Sequence, residues 1–99
     1  MGNSSRSAAF LIESRLVDAA RGNADACFDL GIAYSSGADG VDVDLVEAHK
    51  WFNLSALAGS HRGQQCRAEI AGEMSAREIA AAQRMARAWL STSPERRAA

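Results

Sequence analysis

Four side chains could supply nucleophilic or metal-binding chemistry: Cys27, Cys66, His49 and His61. Their spacing argues against it. His61 and Cys66 are five residues apart and do not share a helix face. No His-x-x-x-His, Cys-x-x-Cys or Ser-x-x-Lys pattern occurs. Zinc needs four converging ligands, and these four residues are spread over three expected helices. The two cysteines define no disulfide framework and read as packed, reduced thiols, Cys27 in a helix seam and Cys66 partly buried. Asp39, Asp42 and Asp44 suggest a calcium loop at first sight. The loop glycine and the twelfth-position glutamate are missing, so caps and solvated turn acids explain them. The expectation is a chain with no catalytic residue, no metal and no cofactor.

Charge is the next candidate for chemistry. Residues 1–59 hold eight acids and four bases, and residues 60–99 hold four acids and seven bases. The two halves therefore differ in sign within a chain of net charge −1, a pattern that suits docking between neighbouring copies. Arg77, Arg84 and Arg87 cluster near one face of the last helical segment, with Arg96 and Arg97 beyond. Glutamates interrupt that face and Trp89 is its only nearby aromatic, so a solvated helix face explains it better than a nucleic-acid footprint.

These groups are held by segments that read as helices. Alanine is abundant, Pro94 is the only proline and β-branched runs are absent, which predicts an all-α domain spanning 1–99. No apolar run is long enough for a membrane span. The opening MGNSSRSAAFLIE reads as neither a secretion signal nor a myristoylation site. With reduced thiols, the expected compartment is the cytoplasm. Met1 to Arg6 is expected to be loose. A first helix is predicted over 7–21, with Phe10, Leu11, Ile12, Leu16, Val17, Ala19 and Ala20 on its apolar side. Gly22 stops it and Asn23 caps the next helix.

The stretch 24–59 organises the rest. Cys27, Leu30, Gly31 and Tyr34 recur at i, i+3, i+4, i+7 on one helix, and Leu45, Ala48, Trp51, Phe52 and Ser55 share a face on the next. Gly37 and Gly40 permit the turn between them. Asp44 with Glu47 resembles a capping box, although Asp42 is an alternative cap, and Ser75 with Glu78 forms a clear one. A fourth helix is expected from His61 to about Gly72. A fifth follows, with Ile79, Ala82, Gln83, Ala86, Trp89 and Leu90 as its buried stripe. A flexible tail is expected over 92–99.

Gly22 and Gly59 lie 37 residues apart at equivalent helix ends, a period that belongs to helical solenoids. That register sets Gly31 against Ala68, two small residues suited to close helix approach. The run Leu30-Gly31-x-Ala33-Tyr34-x-x-Gly37, followed by Gly40-Val41-x-x-Asp44-x-x-Glu47-Ala48-x-x-Trp51-Phe52-x-x-Ser55-Ala56-x-x-Gly59, resembles the Sel-one-like repeat. That family is a subclass of the tetratricopeptide-like helical repeats. The resemblance implies a short right-handed α-solenoid of about five antiparallel helices, of bacterial type. Residues 7–21 would cap it, 24–59 would be a complete repeat and 60–91 a degenerate one.

The resemblance also implies an adaptor or scaffold role, in which the first helix of each hairpin lines a groove. Asp25, Phe28, Asp29, Ile32 and Ser35 on one such helix, and Arg62, Gln65 and Glu69 on the following one, are the expected partner-binding residues. Phe28 and Ile32 could equally serve as core. The expected partner is a protein or peptide, with homo-oligomerisation as the alternative, because about two repeats are few for a continuous core.

Overall fold

The computed structural model describes residues 3–92, with side chains from Ser7 onward, and those residues form five α-helices and one 3₁₀ turn with no strand. Helix α1 spans Asn3–Ala20, α2 Ala24–Ser36, α3 Leu45–Leu57, α4 His61–Ala71 and α5 Ala76–Thr92, with the 3₁₀ turn at Ala38–Gly40. The all-α expectation holds. The first helix begins at Asn3, inside the segment expected to be loose. Of the expected tail, Thr92 closes α5 and residues 93–99, including Pro94, Arg96 and Arg97, lie outside the described residues.

Local chemistry sets the helix ends. Asn23 accepts a hydrogen bond from the Ala26 N–H at 2.9 Å, and Ser60 accepts one from Gly63 at 3.0 Å, each satisfying an N–H that a helix start leaves open. Asp44 is the cap of α3 and accepts from the Glu47 N–H at 3.1 Å. Its reciprocal half is absent. The Asp44 N–H donates instead to the Tyr34 carbonyl at 2.8 Å, and the Glu47 carboxylate turns to the Trp51 Nε1–H at 3.2 Å and to Lys50. The Ser75–Glu78 box closes in both directions, at 2.8 and 3.1 Å. Gly37 ends α2 at φ 76°, a left-handed conformation that costs glycine nothing.

Helix α3 is the hub. It packs along α2, and both α4 and α5 dock on it, while α1 packs on α2 and the 3₁₀ turn. α5 lies against α3 rather than against α4, so residues 60–91 do not close as a second hairpin. The molecule measures 39 × 36 × 22 Å, and its thin dimension matches two helix layers.

The α2/α3 pair buries apolar residues on both sides. On one side Ala19, Ala26, Cys27, Leu30, Trp51, Leu54 and Ala86 form a cluster flanked by Ile12, Leu16, Tyr34, Trp89 and Leu90. Trp51 and Trp89 meet edge to face, with ring centroids 4.8 Å apart. On the other side Phe28, Ala48 and Phe52 pack with Cys66 and Ile70. Leu30, Trp51 and Phe52 are core as the pattern predicts, and Tyr34 is half-buried.

Three expectations change. Phe10, Leu11 and Val17 are exposed, because α1 is apolar around much of its circumference and only one face meets α2. Gln83 is exposed at the edge of the α5 stripe, whose buried centre is Ala82 and Ala86. Ala68 is also exposed and makes no close crossing. The close approaches occur elsewhere. A Cβ on Gly31 would sit 2.5 Å from the Phe52 ring, and one on Gly63 would sit 2.6 Å from Ser55 Oγ. The Ser55 hydroxyl, fully buried, donates to the Ala24 carbonyl at 3.1 Å. Ser55 and Gly63 thereby fit the start of α2, the end of α3 and the start of α4 together.

Candidate functional site

Asp25, Phe28, Asp29 and Ile32 recur at i, i+3, i+4 and i+7, so α2 presents them along one face. Asn23 fixes the start of that face through its cap. Across from it, the Ser60 cap starts α4 and places Arg62 in the first turn. The five residues line a shallow cleft of about 600 Å³.

The floor and walls of the cleft differ in kind. Phe28 is core: its ring packs on Phe52 with centroids 5.6 Å apart, and the Arg62 guanidinium covers the ring at 4.5 Å from the centroid. Such a cation over an aromatic face contributes roughly 0.5–1 kcal/mol where water still reaches it. Ile32 remains 38% exposed, the amount that leaves an apolar side chain free for contact. The acid wall is Asp25 and Asp29. Asp29 is held by Arg15 of α1 at 3.6 Å, and the same guanidinium binds Asp39 at 2.6 Å. Asp39 is thus a half-buried ion-pair partner rather than a solvated turn acid. Arg15 ties α1, α2 and the 3₁₀ turn together, a link that residue spacing does not reveal because its partners are 14 and 24 positions away.

The structure brings together Asp25, Phe28, Asp29, Ile32 and Arg62. Ser35 lies beyond the cleft on α2, where its hydroxyl donates to the Ile32 carbonyl at 3.1 Å. Gln65 and Glu69 are exposed on α4 and do not line the cleft. A second hollow of about 360 Å³ lies between α1 and the 3₁₀ turn, lined by residues including Ala8, Ile12, Glu13 and Val41.

The reactive side chains stay apart. Among the described residues, no group of three or more His, Cys, Asp or Glu side chains converges as metal ligands would. Both cysteines are free thiols. Burial pushes the Cys27 thiol up to about 11, which keeps it protonated and unreactive at neutral pH. Burial also raises the Cys66 pKa; Glu69 adds to that rise and Arg62 opposes it. Arg77, Arg84 and Arg87 are exposed on α5. His49, one of the four candidate reactive side chains, lies in the interior, which residue spacing did not indicate. It is 1% exposed and neither ring nitrogen has a hydrogen-bond partner.

No helix among the described residues is long and apolar enough to cross a membrane. No family model, no curated protein and no solved structure matches this chain.

Proposed function

We propose that this protein is a non-catalytic binding module, a short solenoid of Sel-one-like type that docks a peptide or protein segment in the α2/α4 cleft. The observation that carries this reading is the cleft itself: an exposed Ile32 beside the covered Phe28 ring, between an acid wall and Arg62. An apolar floor with charged rims suits a segment that buries one or two side chains and orients itself by polar contacts. The alternation of α2, α3 and α4 with capped starts at Asn23, Asp44 and Ser60 supports the solenoid assignment. The scattered reactive groups favour binding over catalysis.

Selection of random 12-residue peptides displayed on phage, run in parallel against wild type and Ile32→Asp, tests the reading. Ile32 is chosen because Phe28→Asp would break the core. A shared sequence pattern enriched by wild type and lost with Ile32→Asp is the expected result. No enrichment, or the same enrichment with both proteins, would overturn it.

Self-association is a second reading, favoured by the exposed face of α1, where Phe10 is 70% and Val17 52% exposed. Sedimentation equilibrium of wild type and Phe10→Glu separates the two: a dimer lost on substitution supports this reading, and a monomer at high concentration removes it.

A further inference from the structure

His49 sits in the seam between α3 and α4. Phe52 and Ala56 follow it at i+3 and i+7 on the same helix face. α4 crosses α3 beside this face, since a Cβ on Gly63 would lie 2.6 Å from Ser55 Oγ and 3.2 Å from the Ala56 backbone nitrogen. Arg67 follows Gly63 by one helical turn and so faces the same seam.

The charges around α3 can be followed element by element. On α3 itself Glu47 and Lys50 pair at 3.1 Å, and Lys50 lies 4.3 Å over the Trp51 ring, on the opposite side. On α2, Asp29 turns to Arg15, and Asp25 lines the exposed cleft. On α5, Arg77, Glu78, Arg84 and Arg87 are exposed. On α4, His61, Arg62 and Glu69 are exposed, which leaves Arg67, half-buried, as the charge that reaches His49.

α4 is held to α3 by apolar contact. Gly63 is its one buried residue, with Cys66 and Ile70 half-buried against Phe28, Ala48 and Phe52. α5 packs on α3 rather than on α4.

We propose that His49 makes the α3/α4 seam acid-labile. A proton taken from solvent by either ring nitrogen creates a second cation against Arg67, in a seam that offers no acceptor, and α4 detaches while α1, α2, α3 and α5 stay folded. Because α4 carries Arg62, detachment removes one wall of the α2/α4 cleft; this last consequence rests on the docking reading, whereas detachment itself does not.

Burial lowers the His49 pKa from its ordinary 6.5, and Arg67 lowers it further. The sign follows from linkage. Above about pH 6.5 both the docked and detached forms are neutral at His49, and the seam keeps its full stability. As pH falls below that value the detached form takes up the proton first, and docking weakens until the depressed pKa of the docked form is passed.

Amide hydrogen exchange by NMR at pH 7.5 and 5.0, corrected for intrinsic rates, is the test. Exchange through detachment would accelerate by up to about 30-fold for α4 amides between these values, set by an unfolded histidine pKa of about 6.5. At pH 5.0 the α4 amides would exchange well ahead of those in the interiors of α2 and α3. His49→Leu would remove the pH dependence in α4. Exchange of α4 at the same rate as α2 and α3 would overturn the proposal, as would an undiminished pH dependence in His49→Leu. If that variant fails to fold, the His49 Hε1 resonance of wild type decides. A titration midpoint below 6.5 that coincides with shifts in the α4 amides supports acid release, and a midpoint at or above 6.5 overturns it. Peptide selection at pH 7.5 tests the docking reading separately, so either can fail alone.

Discussion

Replacing Gly31 by alanine adds one methyl group at the tightest crossing of the central hairpin. The new Cβ would lie 2.5 Å from Phe52 Cδ1 and Cε1 and 2.9 Å from Cγ. Ordinary contacts begin near 3.4 Å, so the ring must shift by about an ångström or more. It has little room to do so, since Phe28 packs against it at 5.6 Å and Phe52 is 1% exposed. Overpacking of this kind costs roughly 1–3 kcal/mol, and more where backbones must separate. Helix propensity works the other way, because alanine is favoured over glycine by about 1 kcal/mol in a helix interior. The ring is held on both sides, so the steric cost should lie at the upper end and leave a net loss of roughly 1–2 kcal/mol. For a domain of this size that corresponds to a fall in Tm of roughly 4–16 °C. Thermal and urea melts followed by circular dichroism at 222 nm would measure it. Gly31→Leu, with three more carbons at the same place, should not fold stably. The cause is checked with Phe52→Leu, which removes the obstructing ring: Gly31→Ala should cost much less in that background than in wild type. A Gly31→Ala protein that melts at or above the wild-type temperature would refute the assigned crossing.

Other expectations follow from contacts described above. Gly63→Ala should destabilise the protein by roughly 1–2 kcal/mol through its clash with Ser55, and Ser55→Ala by about 1 kcal/mol through loss of the bond to Ala24. The double variant should fall short of their sum, because removing Oγ relieves part of the clash; additive urea midpoints would refute that coupling. Arg15→Ala should speed amide exchange in α1 and the 3₁₀ turn more than in α3, with a global cost of only about 1 kcal/mol because both ion pairs are partly solvated. Cys27 should resist iodoacetamide at pH 7.5 until the protein is unfolded in urea, whereas Cys66 should react in the native state; equal native rates would contradict the burial of Cys27.

The fold was legible where local chemistry and packing agree. Asn23, Ser75 and the glycines Gly22, Gly37 and Gly59 act within a few residues of their own position, so their roles could be read directly from spacing. The faces of α2 and α3 were legible for a similar reason, since both helices are buried along much of their length. α1 was harder. Its apolar residues surround the helix, and only the position of α2 decides that Ile12 and Leu16 turn inward while Phe10 and Val17 do not. The docking of α5 on α3 depends on the meeting of Trp51 and Trp89, a distance of 38 residues that no periodicity encodes. In the cleft, α2 contributed its expected face, but only Arg62 of the α4 residues joined it, because the two helices meet near their starts and Gln65 and Glu69 lie further along α4. Gly63 is the place where α4 rests on Ser55, a contact that its own position in the sequence does not announce.

The two tryptophans are the only ones in the chain, and they meet edge to face across the α3/α5 contact beneath the Lys50 ammonium. Intrinsic fluorescence therefore watches one side of the molecule. The emission should red-shift when α5 lifts and Trp89 meets water, and stay nearly constant when α4 alone departs. A fluorescence melt and a far-ultraviolet melt of this protein need not coincide, and the gap between them would measure how independently its two flanks come apart.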